Sequence, residues 1–247
     1  GTGGTLGDVT FRLGYERFAA DNEYSVPVGA ANRNPANGKP FNGDTQVDNF
    51  YGGVEFPLNS RNRLSLDAYK SASRRGLLYF GFPLQRDRLN HDLFNIGATL
   101  TTQLDQNDRS ILKTTIAFNQ DLFDTYGPSG NAFRSGTLDS QSLTGRLEHQ
   151  WQFTDANQMT WGLDVKSDSI SGDVFSSRAG LSQFNGETNE ERLSVALFAL
   201  NTWKPLDNLQ VEVGLRQNFT SDFGSYLNPT IGTRWNITHT IDLRGSF

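Results

Sequence analysis

Period-two alternation of apolar and polar residues constrains this chain more than any other feature of its sequence. The clearest stretch contains Leu143, Leu147, Trp151 and Phe153, with Thr, Arg, Glu and Gln residues between them. Such alternation is typical of a β-strand with two unlike faces. The same pattern recurs at Val9–Tyr15, Phe94–Leu100, Leu112–Phe118, Met159–Val165, Leu209–Leu215 and Ile231–Ile237. The sequence predicts about 11 strands, several of them near 12 residues long, whereas soluble strands usually have about 5–6.

Two classes of connection separate the predicted strands, and they alternate strictly along the chain. Short polar turns are expected at Asn59–Asn62, Asp105–Arg109, Thr154–Gln158, Pro205–Asn208 and Thr238–Thr240. Loops rich in Asn, Gly, Ser and Asp are expected at Asp21–Gln46, Ser73–Asn90, Asp124–Ser140 and Ser171–Glu190, with a shorter one near Ser221–Ser225. In an up-and-down meander this puts all tight turns at one end, as in barrels of the bacterial outer membrane.

The four tryptophans support a membrane position. Trp151, Trp161, Trp203 and Trp235 all lie near short turns and share the apolar phase of their strands. Indole rings prefer a lipid–water interface, so a ring of tryptophans at one level is typical of a transmembrane barrel. The alternative is the core of a soluble β-sandwich. We therefore predict an all-β, antiparallel, up-and-down transmembrane β-barrel in the bacterial outer membrane, in contact with its lipid.

The polar phase of the strands carries charges of both signs, which suits a wide, wet or filled barrel interior. Its members include Arg146, Glu148, Asp164, Lys166, Arg216 and Arg234. The net charge of −5 gives no basic footprint for nucleic acid. No cysteine is present, so thiolate metal sites are excluded. No catalytic or cofactor-binding motif is found. The sequence predicts no enzyme, no cofactor and no metal site; His149 could act as a base only beside a serine that the sequence cannot place.

The predicted long loops combine arginine with aromatic residues. The candidates are Arg74, Arg75, Tyr79, Phe80, Phe82, Arg86 and Arg88 in one loop, and Tyr126, Phe133 and Arg134 in the next. Guanidinium groups and aromatic rings together suit planar anionic ligands such as catecholate or citrate-type iron chelates. The alternative is that these aromatics form an outer girdle or pack loop against loop.

The chain resembles the TonB-dependent receptors, a family of plugged outer-membrane transporters. The opening segment Gly1–Gly7, followed at once by Asp8–Phe18, is similar to their passage from plug into first barrel strand. The closing segment Ile241–Phe247 is similar to a strand that often continues into a Gly-x-x-Phe-Arg-Ala-Pro segment. Residues 1–7 are then the end of a plug or linker, and residues 8–247 a partial barrel. An odd strand number also indicates part of a larger barrel. The resemblance implies that this part is about half of a 22-stranded barrel.

The resemblance implies a function and partners. The protein would take up a scarce solute, with a ferric siderophore as the favoured cargo, using energy delivered by the inner-membrane protein TonB. The inner charges Arg146, Glu148, Asp164, Lys166, Arg216 and Arg234 would hold the receptor's own plug domain. Two alternatives stay open at this point. One is a passive porin or other outer-membrane barrel, and the other is a soluble β-sandwich binding module.

Overall fold

The computed structural model describes residues 1–21, 25–30, 33–40, 43–76, 88–126, 134–176, 184–237 and 242–246. These residues form twelve strands, where the sequence predicted about 11, so the described strands do not have the odd number that would indicate part of a larger barrel. The strands are β1 (Thr2–Leu6), β2 (Val9–Ala20), β3 (Thr45–Pro57), β4 (Asn62–Gly76), β5 (Arg88–Gln103), β6 (Ser110–Tyr126), β7 (Arg134–Thr154), β8 (Asn157–Ser176), β9 (Phe184–Leu206), β10 (Leu209–Thr220), β11 (Gly224–Asn236) and β12 (Asp242–Ser246).

All twelve strands belong to one antiparallel sheet in which each strand pairs with the next along the chain. The predicted all-β meander is therefore confirmed. The sheet is open: among the described residues, β1 pairs only with β2 and β12 only with β11. A single sheet has no second layer to pack against, which excludes the soluble β-sandwich for the described part of the chain.

Strand registers sort the side chains into two faces. Leu147 lies opposite Leu163, which in turn lies opposite Leu197, and we call their side the outer face. Arg146 lies opposite Asp164 on the other side, which we call the inner face. Because side chains alternate along a strand, every residue in phase with Leu147 shares the outer face.

The outer face has no protein layer over it. In the described part of the chain, only Val26, Leu89 and Ala196 are buried apolar residues. Trp151 and Val213, by contrast, are about half exposed. An apolar sheet face of this size needs an apolar environment, and hydrocarbon supplies it. All four tryptophans lie on this face within four residues of the turn end of their strands, as predicted.

The described tight turns lie where the sequence predicts them, at one end of the sheet. Asp155 and Ala156 alone join β7 to β8. A further tight turn joins β1 to β2 through Gly7, whose φ of 60° is a left-handed conformation that glycine adopts without strain. The turn predicted at Thr238–Thr240 lies outside the described residues.

The strands extend further toward the opposite end than predicted. Ser73–Gly76, Arg88–Asn90, Asp124–Tyr126, Arg134–Ser140, Ser171–Ser176 and Phe184–Glu190 were assigned to loops from their polar composition but form paired strand. Antiparallel pairing satisfies their backbone groups without help from side-chain hydrophobicity. Two predicted loops keep nearly their bounds: the long one between Ala20 of β2 and Thr45 of β3, and the shorter one between Thr220 of β10 and Gly224 of β11.

The first residues also differ from expectation. Thr2–Leu6, predicted as the end of a plug or linker, pair in register with Val9–Leu13 as strand β1. The end of a plug near residue 7 stays a prediction. No helix among the described residues is long and apolar enough to cross a membrane.

Candidate functional site

Charged side chains on β7 to β10 meet in one network on the inner face. Arg146 Nη2 donates to Glu148 Oε2 at 2.9 Å, and its Nε lies 3.6 Å from Asp164 Oδ1. Arg216 approaches Asp164 from the other side, with Nη1 donating to Oδ2 at 2.6 Å. Its Nε donates to Asn218 Oδ1 at 2.9 Å. One carboxylate thus lies between two guanidinium groups.

An aromatic ring lies beneath this network. Phe198 is opposite Gly162 on one side and Arg216 on the other. The guanidinium carbons of Arg146 and Arg216 lie 4.8 and 5.9 Å from its ring centre, within cation–π range. A Cβ on Gly162 would come within 2.8 Å of the ring, so a larger residue at position 162 would displace Phe198. We call Arg146, Glu148, Asp164, Phe198, Arg216 and Asn218 the inner-face cluster.

Burial within the cluster is uneven. The side chains of Glu148 and Asp164 are each 16% exposed, whereas those of Arg146 and Arg216 are 45% and 40% exposed. Asn218 is buried, and its Nδ2 has no hydrogen-bond partner within the described structure. A buried polar group without a partner costs about 1–3 kcal/mol. The cluster therefore presents two half-exposed cationic groups to whatever occupies the interior, whereas the unused Asn218 donor is enclosed within the wall.

A second polar group lies on the inner face of β2 to β6. The Arg12–Asp67 ion pair, 2.6 Å long, crosses over Gly53, where a Cβ would lie 2.5 Å from the carboxylate. Tyr69 donates a hydrogen bond of 3.2 Å to Asn49. The lining residues Arg12, Tyr51, Asp67, Tyr69, Asn95 and Asn119 surround a cavity of about 370 Å³. Hydroxyl, amide and charged groups thus converge on one concave part of the wall.

Further ion pairs lie near the loop end. Asp44 accepts hydrogen bonds of 3.0 and 2.5 Å from Arg88, and this contact lowers the pKa of the Asp44 carboxyl. Arg192 donates to Asp222 at 2.6 Å. His91 Nε2 lies 2.6 Å from Asp121, and its ring stacks on a Phe ring at 4.0 Å. No group of three or more His, Asp or Glu residues suited to a metal ion occurs in the described part of the chain.

The six charges predicted for the interior share the inner phase, but only four of them meet. Arg146, Glu148, Asp164 and Arg216 form the inner-face cluster. Lys166 instead pairs with Asp168 at 2.8 Å on its own strand. Arg234 lies opposite Arg244, beside a separate polar cavity at β11 and β12. Their contact with a plug stays a prediction.

Sequence reasoning missed two members of the cluster, Phe198 and Asn218. Phe198 lies within the apolar run Val195–Leu200, where alternation is lost and phase cannot be read directly. Counting back in steps of two from Trp203 places Ala199 and Leu197 on the outer face. Phe198 lies between these two residues, so the count would have placed it on the inner face. Asn218 is two residues after Arg216, so the same count places it on the inner face.

The ligand candidates are divided between strands and undescribed segments. Tyr79, Phe80, Phe82, Arg86 and Phe133 lie outside the described residues. Tyr126 and Arg134 end β6 and begin β7, and their side chains are not described. Arg74 is on the outer face of β4, whereas Arg75 is on the inner face. Arg88 begins β5 and binds Asp44. A ligand contact for any of them stays a prediction.

A serine does lie beside His149. Ser110 Oγ is 2.8 Å from His149 Nε2, and the imidazole meets Trp161 edge to face at 5.2 Å. Within the described structure, no carboxylate accompanies the pair. Both residues are on the outer face near the turns, where the contact satisfies the polar edge of a ring in the aromatic band.

Twelve antiparallel strands, an apolar outer face with its tryptophans near the tight turns, and a charged inner face together define a bacterial outer-membrane β-barrel. The family model for the β-barrel of TonB-dependent receptors matches residues 3–247. The chain belongs to this family, whose members are outer-membrane transport receptors of Gram-negative bacteria.

Solved structures of similar fold support this assignment. The FrpB iron transporter from Neisseria meningitidis (F5-1 variant) gives a TM-score of 0.73 at 14% identity, covering 99% of this chain and 43% of that one. The siderophore receptor PiuA from Acinetobacter baumannii gives a TM-score of 0.69 at 11% identity, covering 99% of this chain and 46% of that one. The outer-membrane transporter YddB from Escherichia coli gives a TM-score of 0.68 at 13% identity, covering 94% of this chain and 34% of that one. This chain thus spans less than half of each. No curated protein matches it.

Proposed function

We propose that this chain is part of the wall of an active transporter that takes up a scarce solute across the outer membrane, with energy supplied through TonB. The inner-face cluster carries the proposal. Its two half-exposed guanidinium groups, those of Arg146 and Arg216, face the interior. A plug domain that offers carboxylates and carbonyl groups would complete their hydrogen bonds.

A ferric siderophore is the favoured cargo. The support is the arginine and aromatic content of the segments at the loop end, which suits a planar anionic chelate. Iron and siderophore receptors of the same fold, FrpB and PiuA, agree with this choice. Arg75 is the described candidate closest to this role, because it lies on the inner face near the end of β4.

Energised uptake provides the test. In cells where the full-length protein is the only route for a radiolabelled ferric siderophore, uptake should stop when TonB is deleted or the proton gradient is collapsed. Uptake that continues under both conditions would instead identify a passive porin, the alternative from a different class.

Plug contact can be tested separately by changing the cluster. Arg146→Gln together with Arg216→Gln should loosen the plug and raise the ion conductance of the receptor in a planar bilayer. Lys70→Gln together with Arg74→Gln removes the same charge from the outer face and should leave conductance unchanged. Equal conductance in all three proteins would refute the plug contact without bearing on energised uptake.

A further inference from the structure

The outer face of β2 to β5 contains an apolar groove. Its floor is formed by Gly52 and Ala68, which lie opposite each other, with Leu13 and Ile96 on either side in the same row. Two adjoining cavities of about 650 and 710 Å³ share Leu13, Gly52 and Ala68. Small residues in an otherwise bulky face thus leave a depression directed at the membrane.

A lysine lies at the end of the groove nearer the long loops. Lys70 lines the first cavity, and its row neighbours are Phe50 and Phe94. It is exposed and has no ion-pair partner in the described part of the chain. Its flexible stem allows the ammonium group to reach from apolar surface toward the headgroup level.

Two arginines lie above Lys70 on the same face. Arg17 is in the next row and Arg74 in the row after that, and both are exposed. The nearby carboxylate of Asp48 already accepts hydrogen bonds of 2.6 Å from Tyr15 and 2.7 Å from Gln46, and Arg17 is 3.8 Å away. The cationic groups therefore keep capacity for a further anion.

The charge of the outer face is strongly uneven. Among described strand side chains, its Lys and Arg residues are confined to β2–β5. These are Arg17, Lys70, Arg74 and the Asp44-bound Arg88. The charged residues on the outer face of β6 to β9 are all acidic, namely Asp124, Asp139, Asp173, Glu187 and Glu191. The outer face of β2–β5 carries two acidic residues, Asp48 and Asp92, against its four basic ones. The basic residues and the groove thus coincide in one sector.

We infer that this sector binds one phosphate-bearing glycolipid of the outer leaflet. An acyl chain would lie in the groove over Gly52 and Ala68, and a headgroup phosphate would contact Lys70, Arg17 and Arg74. The long loops are extracellular in barrels of this class, so the basic end of the groove lies at the headgroup level of that leaflet. Clusters of basic residues beside membrane-spanning segments bind anionic headgroups by charge attraction.

The test measures retention of lipid A by the full-length protein in detergent, using native mass spectrometry with bisphosphorylated and dephosphorylated lipid A as probes. The wild-type protein should retain the bisphosphorylated form preferentially. Lys70→Gln with Arg74→Gln should weaken its binding about 30-fold, since each basic residue near the surface contributes roughly a factor of five. Arg12→Gln with Arg63→Gln is the matched control, because it removes two exposed charges from the inner face of β2 and β4.

The groove is tested by Gly52→Leu. A Cβ at Gly52 would make only ordinary contacts, the nearest at 3.5 Å from Leu13, so the barrel should still fold. The larger side chain should reduce binding of both forms of lipid A by occupying the groove. Equal retention of the two forms by the wild type, or an unchanged affinity in the double variant, would overturn the phosphate site. Unaltered binding in the Gly52 variant would overturn the acyl groove.

Discussion

At the scale of single residues, the carboxylate of Asp164 is nearly buried, and two guanidinium groups stabilise its negative charge. Arg216→Ala removes the closer partner and leaves a carboxylate that Arg146 reaches only at 3.6 Å. We expect a loss of about 1–3 kcal/mol in the free energy of unfolding, measured by urea titration of the full-length protein in lipid vesicles. Arg12→Ala breaks a pair whose side chains are 69% and 48% exposed, so it should cost less than about 1 kcal/mol. Equal losses would contradict the difference in burial.

The Asp44–Arg88 pair gives a prediction for pH. Its contact with Arg88 lowers the pKa of Asp44, so the folded carboxylate binds protons less readily than the unfolded one. The stabilisation is therefore complete above the ordinary carboxyl range and is lost as pH falls through the lowered pKa. A carboxyl NMR titration should place the Asp44 midpoint below the ordinary aspartate range, and Arg88→Gln should move it upward. A midpoint that does not respond to Arg88→Gln would rule out the pair as the cause.

At the scale of strands, the outer phase predicts where charge is tolerated. Leu147→Arg or Val213→Arg should each cost about 2–4 kcal/mol near the middle of the membrane, because the guanidinium group would face hydrocarbon. Folding into lipid vesicles measures this cost. Gln150→Arg places the same group on the inner face beside Glu148 and should be tolerated. Indifference to all three changes would contradict the assignment of faces.

Two glycines on neighbouring strands test the packing of the sheet. A Cβ at Gly162 would lie 2.1 Å from the carbonyl oxygen of Leu147, so backbone must move to admit it. Gly162→Ala should therefore cost about 1–3 kcal/mol in denaturant unfolding. A Cβ at Gly145 would meet nothing within 4 Å, so Gly145→Ala should be close to neutral. Equal stability of the two variants would show that the sheet adjusts freely at Gly162.

The strands also show what sequence can predict in a barrel of this class. Within the membrane each side chain faces either lipid or the interior, so alternation around Trp151 and Trp161 identified β7 and β8 directly. Beyond the membrane both faces meet water, and segments such as Ser171–Ser176 look like loop although they are paired strand. Asp164 and Arg216 are far apart in sequence, and their contact depends on the pairing register of the strands between them. The sequence of a single strand does not determine that register.

At the scale of the whole molecule, the sheet has two edges that cannot cross a membrane alone. β1 and β12 each have 5 residues, fewer than the roughly 9–11 that a spanning strand needs. In hydrocarbon, unpaired backbone groups at an open edge cost several kcal/mol each, which is why spanning sheets close. Residues 1–247 expressed alone should therefore not form the heat-resistant, compact band that closed barrels give on detergent gels after refolding into vesicles. The full-length protein should form that band. A compact, heat-resistant monomer of residues 1–247 would mean that β1 and β12 pair with each other and close the barrel themselves.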